Sequence, residues 1–295
     1  MAALPSLSAL AVHGRHQSKT IVHLTALTRL ECLAFCGSIK PQLLEMVDFA
    51  VFARLRRLVV VEDGAYDRLP LLQALATGPS GAVLEALVLL RSKRARRLAV
   101  DVPDGEAAWW DLLPDLPALT ELALAVESVD ERLVDALGAC HGLRAVTIAS
   151  SLADDADCDP NLVACVEALP PELVALDVRP SHLSPALLGA LPASLVEFRF
   201  SKRCKVDLVV DLLGRCGGLE VIGSAAIAFS RPLLQALVGF GGGGSRRFRV
   251  AVDIKGGSSP VGGGGSAVVW VDDVPMIPWN TPWSSVAYPE WSGGQ

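Results

Sequence analysis

Two neighbouring stretches, Leu169-Pro-Pro-Glu-Leu-Val-Ala-Leu-Asp-Val178 and Leu191-Pro-Ala-Ser-Leu-Val-Glu-Phe-Arg-Phe200, repeat one pattern. In each stretch a leucine, Leu173 or Leu195, is followed by apolar residues three and five positions later, and the two leucines lie 22 residues apart. We number this frame from its leucine, which is position 0, so the later apolar residues stand at positions 3 and 5. A repeat of this short period is typical of solenoids, in which each repeat is one supersecondary unit.

The frame occurs nine times along the chain, and its ninth copy is incomplete because Ser224 stands at position 5. The leucines at position 0 are separated by 22 to 35 residues and are Leu7, Leu30, Leu55, Leu84, Leu119, Leu143, Leu173, Leu195 and Leu219. Between the frames, apolar residues recur three and four residues apart, which indicates helices. The predicted helices are 42–52, 68–76, 131–139, 161–168, 185–191, 206–215 and 232–238.

From Leu7 to about Val238 the chain resembles leucine-rich-repeat proteins with helical convex sides, such as ribonuclease inhibitor and the repeat half of F-box receptors. The resemblance implies an α/β fold, a solenoid with a curved parallel sheet inside and helices outside. We expect no F-box ahead of the repeats. The family usually has asparagine or cysteine at position 8. The residues found there, which imply a weaker polar ladder between turns, are Ser38, Asp63, Ser92, Glu127, Ser151 and Ser181.

Composition divides the chain into three predicted regions. Residues 1–240 form the solenoid, residues 241–274 form glycine-linked β segments that extend or close the sheet, and residues 275–295 form an extended tail rich in proline and tryptophan. The middle region holds two identical runs of four glycines and a serine, and such runs are flexible. They are either engineered linkers or natural glycine tracts. The alternating segments 248–254 and 268–271 predict strands.

The overall charge and the cysteines limit the kind of protein. The net charge of −6 does not suit non-specific nucleic-acid binding, which depends on clustered positive charge. No apolar run is long enough to cross a membrane. Seven dispersed cysteines, with no Cys-x-x-Cys pair, predict buried thiols in a reducing, intracellular and most simply cytoplasmic compartment. Cys140 and Cys216 each precede their leucine by three residues, so we expect them to fill equivalent core positions.

The sequence contains no recognisable catalytic, metal or cofactor site. The five histidines do not cluster with acids or cysteines at zinc spacing. Asp155, Asp157 and Asp159 resemble the start of a calcium loop, but Pro160 replaces the required glycine and Val166 the required glutamate. We therefore predict that the protein is not an enzyme, and that it holds no metal and no cofactor.

The side chains at positions 2, 4 and 6 should point away from the helices, since strand residues alternate between faces. We call this surface the even face, and we expect it to line the concave side and to bind partners. Its apolar part is a candidate interface, because large apolar patches on monomers usually mark one. The candidate binding residues are Arg57, Val59, Val61, Val88, Leu90, Glu121, Asp177, Arg179, Glu197 and Arg199.

Two further groups of residues are candidates for partner contact. Basic residues follow two strands and should form a basic rim, and these are Arg91, Lys93, Arg94, Arg96, Arg97, Lys202, Arg203 and Lys205. The rim would bind an acidic or phosphate-bearing partner, act as a nuclear-import signal, or simply be solvated loops.

The tail anchors are Trp279, Trp283, Tyr288 and Trp291, which would dock either on the chain's own even face or, as we prefer, on a neighbouring subunit.

These features predict a non-catalytic scaffold that binds protein, most simply as a structural subunit of a multi-subunit assembly. The alternative is a recognition receptor, such as a ligase substrate receptor or an immune-type sensor, that captures ligands on its concave face.

Repeat arrays normally need a polar cap at each end, yet the first frame begins at Leu7. We therefore expect another chain or an upstream segment to cover the first turn.

Overall fold

The computed structural model describes residues 7–13, 24, 26–37, 47–62, 68–91, 109–126, 129–150, 160–179, 183–200, 206–224 and 249–252. The chain divides into two compact units, Met1–Leu173 and Val174–Gln295.

The first unit contains a parallel sheet in which each strand pairs with the next one along the chain. Its strands are β1 (Ala9–His13), β2 (Cys32–Gly37), β3 (Arg57–Glu62), β4 (Ala86–Arg91), β5 (Glu121–Val126) and β6 (Ala145–Ser150). Its α-helices are α1 (Leu69–Thr77), α2 (Glu131–Ala139) and α3 (Pro160–Ala168), and it has 3-10 helices at Phe49–Val51 and Trp110–Asp115.

The second unit repeats the same arrangement. Its strands are β7 (Ala175–Arg179), β8 (Glu197–Phe200), β9 (Val221–Ser224) and β10 (Arg249–Val252), and its helices are α4 (Pro185–Ala190) and α5 (Val206–Arg215). All neighbouring strands in this unit are parallel. Both units therefore have the α/β leucine-rich-repeat architecture that the frame predicted.

The frame sets the register of the strands in each unit. Position 2 of each strand stands opposite position 2 of the next, as in Arg57 opposite Ala86 and Glu197 opposite Val221. The predicted strand 248–254 is confirmed over Arg249–Val252, and its register shows that it is a tenth copy of the frame, which the leucine pattern did not include. Arg249 stands opposite Val221, so β10 follows the frame with position 0 at residue 247, where arginine replaces the usual leucine. Only Val250 and Val252, at positions 3 and 5, retain the pattern there.

A recurring set of backbone hydrogen bonds connects neighbouring repeats. The N–H groups at positions 1 and 2 of one strand both donate to the carbonyl at position 1 of the preceding strand. In this way Arg56 and Arg57 donate to Glu31 at 2.8 and 2.9 Å, and Val196 and Glu197 donate to Val174 at 2.8 and 3.0 Å. This bond fixes where each new strand begins relative to the last.

The residues at positions 0, 3 and 5 form the core. In the second repeat Leu30, Leu33 and Phe35 have no exposed surface, and the matching side chains of the third to eighth repeats are also buried. The helices contribute their own buried leucines, such as Leu71, Leu72 and Leu75 of α1. Burying a leucine or phenylalanine stabilises the fold by about 1.5 to 3 kcal/mol relative to an exposed position. Repetition of the frame is therefore repetition of the core.

The helices begin where the local sequence supplies a cap or a proline. Asp130 accepts a 2.9 Å hydrogen bond from the Leu133 N–H at the start of α2, and Ser184 caps α4 in the same way. Side chains at the start or end of a helix replace missing backbone partners in this manner. Pro160 and Pro185 open their helices, because a missing amide costs little at the first position.

The predicted helices 68–76, 131–139, 161–168, 185–191 and 206–215 agree with α1 to α5 within one residue or so. The predicted helix 42–52 is described only from residue 47, and there it is the short 3-10 helix Phe49–Val51, which Asp48 caps. The predicted helix 232–238, the position-8 residues and the predicted boundaries near 240 and 274 lie outside the described residues.

Side chains also connect one repeat to the next on the helical side. The Arg144 guanidinium donates to the Glu172 carbonyl at 3.1 Å, and the Asn161 amide donates to the Val129 carbonyl at 2.9 Å. In the second unit Arg215 at the end of α5 donates to the carbonyls of Leu191 and Gly189 at the end of α4. A cation at a helix C-terminus is favourable, because the terminal carbonyls carry partial negative charge.

We predict that Phe198→Ala lowers the free energy of unfolding by about 3 to 5 kcal/mol, because Phe198 is fully buried at position 3 of β8. The matched control is Val174→Ala, since Val174 is 40% exposed and should change stability by about 0.5 kcal/mol or less. Urea denaturation of the full chain measures both. Equal losses in the two variants would mean that positions 1 and 3 do not differ in burial.

Candidate functional site

The even face of the first unit carries a compact apolar patch. Val59, Val88 and Ala123, all at position 4, stand side by side on β3, β4 and β5 and are buried. The exposed fractions of Val59 and Val88 are only 3% and 2%. The partly buried residues packed against this base are Ala34, Val61 and Leu90. We call these six residues the apolar patch.

An ion pair lies beside the apolar patch at position 2. The Arg57 guanidinium of β3 contacts the Glu121 carboxylate of β5 at 3.0 Å, and both side chains are largely buried. Neighbouring strands are about 4.8 Å apart, so this pair spans two strand spacings and must cross over β4. Ala86 occupies position 2 of β4, and its single methyl group leaves room for the crossing.

The electrostatics of this pair are dominated by burial. Burial raises the pKa of Glu121 above its usual value, and the favourable charge and hydrogen bond of Arg57 partly oppose the rise. Burial also raises the pKa of the nearby Cys32 thiol, again with partial opposition from Arg57. Both effects arise because a charged group loses hydration in a partly buried site. The arrangement orders the side chains, and it does not create a reactive thiolate.

The even face of the second unit is charged. Asp177 and Arg199, at position 4 of β7 and β8, stand directly opposite each other, and their exposed fractions are 0% and 1%. Arg199 also contacts the Glu197 carboxylate through two nitrogens, at 2.6 Å from Nε and 2.5 Å from Nη2. Buried charges persist only when they are paired. This cluster therefore fixes its own side chains.

Several predicted site residues are described only in part or not at all. Arg91 and Arg179 end β4 and β7, but only their backbones are described. The rest of the basic rim and all of the tail anchors lie outside the described residues, namely Lys93, Arg94, Arg96, Arg97, Lys202, Arg203, Lys205, Trp279, Trp283, Tyr288 and Trp291. The basic rim and the tail anchors stay predictions.

One buried cluster was not expected from the sequence. Arg68, which precedes α1, has 1% exposure and donates to the Ala125 carbonyl of β5 at 2.9 Å. Its guanidinium lies 5.3 Å from the centroid of the Trp109 ring, which packs closely on Trp110. A cation over an indole face is favourable, and more so when it is removed from water. The pair Trp109-Trp110 was the only sign of this cluster in the sequence, and it does not indicate that Arg68 packs against Trp109.

The two cysteines that match in sequence do occupy equivalent core positions. Cys140 and Cys216 are buried at the ends of α2 and α5, and each carbonyl accepts the N–H of its leucine, Leu143 or Leu219. Burial raises the pKa of the Cys140 thiol to about 11. Burial also raises the pKa of Cys216, and Arg215 partly opposes that rise. These residues are packing elements with little thiolate at neutral pH.

Within the described ranges, no group of three or more histidine, cysteine or acidic residues is arranged to hold a metal ion. In the same part of the chain, no helix is both long enough and apolar enough to span a membrane.

Among the comparisons with known proteins, the one with solved structures found a similar chain. No protein-family model matches the chain, and no curated protein matches it in sequence. Among solved structures, the chain is similar to the leucine-rich-repeat-containing protein LegL7 from Legionella pneumophila. The two are 11% identical, with a TM-score of 0.47, over 80% of this chain and 79% of the other.

We predict that Glu121 makes the protein less stable as the pH rises through the mildly acidic range. The pKa of Glu121 is raised in the folded state, so the unfolded chain loses this proton at a lower pH than the folded chain does. Where the folded chain holds more protons than the unfolded chain, the free energy of unfolding decreases as the pH rises. The difference in unfolding free energy between the wild type and Glu121→Gln should therefore fall as the pH rises above the ordinary pKa of a glutamate, about 4.3. Denaturation at several pH values measures it. A difference that stays constant or grows would contradict the raised pKa.

We also predict that Cys140 resists alkylation in the folded protein. With a pKa of about 11, only about a thousandth of the thiol is ionised at pH 8. Iodoacetamide labelling at that pH, read by mass spectrometry, should modify Cys140 rapidly in urea and very slowly without it. Comparable rates in the two conditions would show that the thiol is accessible and reactive in the folded state.

Proposed function

We propose that this protein is a non-catalytic, protein-binding scaffold that serves as a structural subunit of a larger assembly. The observation that carries the proposal is the apolar patch. Val59 and Val88 form its buried base, while Val61 and Leu90 stand at its edge and are only partly buried. Interfaces typically place their binding energy in a few apolar anchors that sit on a packed base. Val61 and Leu90 have that arrangement.

The charged residues of the even face support a binding role over a chemical one. Arg57 and Glu121 hold each other, and Arg199 holds Glu197, so their positions are set before any partner arrives. A surface whose side chains are held in place beforehand loses little entropy on binding, which favours affinity. A catalytic acid or base would need access to a substrate, and these groups are largely buried.

The partner that fits the patch best is a protein segment that places an apolar side chain against Val61 and Leu90. The tail anchors and the basic rim would extend the contact to a neighbouring subunit. Buried thiols such as Cys140 and Cys216 suit a reducing, intracellular compartment. The alternative function is a recognition receptor that uses the same face for transient ligands.

The test is affinity purification of the full chain, with the bound proteins identified by mass spectrometry. Val61→Asp and Leu90→Asp should each reduce the retained partner at least about tenfold, because a buried, unpaired carboxylate at an interface is costly. Ala53→Asp, in an exposed turn, is the matched control and should retain the partner. The melting temperature of each variant shows whether the fold is intact.

The outcomes separate the two functions. A partner that co-purifies in fixed proportion from unstressed cells, and is lost in both patch variants, supports the structural subunit. A chain that gains partners only after a challenge supports the receptor. Retention of every partner by Val61→Asp and Leu90→Asp, with the fold intact, would contradict binding at the apolar patch.

A second experiment addresses the tail. We predict that deletion of residues 275–295 removes the partner and leaves the melting temperature unchanged, because the tail anchors would dock on a neighbouring subunit. A lower melting temperature, with binding of a hydrophobic dye, would instead indicate that the tail covers this chain's own surface. No change in either quantity would exclude an anchoring role.

A further inference from the structure

The first strand of the sheet differs from those that follow it. Leu10 and Val12 occupy positions 3 and 5 of β1 and are partly exposed. Their counterparts in the next repeat, Leu33 and Phe35, have no exposed surface. Leu7, at position 0, is likewise partly exposed. The core positions of the first repeat are therefore more exposed than those of the second.

The backbone of β1 also has an outer edge. Cys32 donates to Ser8 on the inner side, and strand residues bond alternately to the two neighbours, so Leu10 and Val12 bond toward β2. The N–H and C=O groups of Ala9, Ala11 and His13 point to the outer edge by the same alternation. Among the described residues, no strand pairs with that edge.

The sequence of β1 does not protect this edge. Exposed edge strands usually carry a charge, a proline or a bulge that prevents pairing with another chain. β1 reads Ala-Leu-Ala-Val-His, with no charged residue at neutral pH and no proline. Its five residues pair with β2 in regular register, without a bulge. An edge of this kind is able to accept another strand.

We propose that β1 pairs antiparallel with β1 of a second copy of this chain, about a two-fold axis at Ala11. This register places the outward-pointing backbones of Ala9, Ala11 and His13 opposite those of His13, Ala11 and Ala9 in the other copy. About six backbone hydrogen bonds would form. On the core side, Leu10 would lie next to the partner's Val12, and Val12 next to the partner's Leu10.

A second copy of the chain is the partner that suits this edge, because β1 can pair with another β1. Its apolar side chains at residues 10 and 12 are symmetric about Ala11, so one register satisfies both the hydrogen bonds and the core. Because β1 has no charged residue at neutral pH, the pairing places no like charges opposite each other. Two-fold pairing of identical surfaces is the commonest symmetry among soluble oligomers. This inference does not depend on the proposed partner-binding function.

The experiment is sedimentation velocity on the purified full chain over a range of concentrations. The wild type should form a species of twice the 31.1 kDa chain mass. Ala11→Lys and Ala11→Glu should each weaken the dimer several-fold, since like charges directly opposite on paired strands repel. An equimolar mixture of these two variants should recover the dimer, because the charges are then opposite.

Two further variants exclude indirect effects. Ala11→Pro removes an outward N–H, which an edge strand tolerates, and should raise the dimer dissociation constant about tenfold or more. Ala53→Lys places the same charge in an exposed turn and should leave the dimer unchanged. A wild type that is monomeric at every concentration would overturn the proposal. So would a dimer that Ala11→Pro does not weaken, or a charged pair that does not recover association when mixed.

Discussion

The rest of the structure depends on a single hydrogen-bonded junction, in which one carbonyl accepts from two consecutive N–H groups of the next strand. Glu31 accepts from Arg56 and Arg57, and Glu85 accepts in the same way from Thr120 and Glu121. The junction sets the starting point of each strand, so equivalent positions stand opposite each other. A shift of one residue would move every core leucine to the other face of the sheet. The register therefore keeps positions 3 and 5 of every strand on the core side and positions 2, 4 and 6 on the even face.

The even face is a direct consequence of that register. Because position 4 always meets position 4, Val59, Val88 and Ala123 form a continuous apolar row in the first unit. In the second unit the same rule places Asp177 against Arg199. Each repeat thus contributes one residue at position 4 to this surface. The chemistry of the surface changes where the residue at position 4 changes. For this reason position 4 is apolar in the first unit from β3 to β5 and charged in the second unit at β7 and β8.

The sequence was sufficient for the fold and only partly sufficient for the site. The strands, their register and the helices from α1 to α5 follow from the leucine frame, because apolar periodicity is a local property of the chain. The pairing of Arg57 with Glu121 was not predictable, since it depends on the small side chain of Ala86 in the strand between them. The burial of Arg68 against Trp109 depends on packing between distant segments. The strand at 249–252 was predicted from its alternating residues, but it was not recognised as a copy of the leucine frame because its position 0 is not leucine.

Most of the described links join one repeat to its neighbour, as Arg144 and Asn161 do, but two of them skip a repeat. Arg57 contacts Glu121 and Arg68 contacts Ala125, and both connections pass from the third repeat to the fifth. In a solenoid held only by nearest-neighbour contacts, each repeat is stabilised only by the repeats directly beside it. Under a pulling force applied at its termini, the segment from β3 to β5 would instead resist as one mechanical block. Its rupture would appear as a single extension step longer than that of any one repeat.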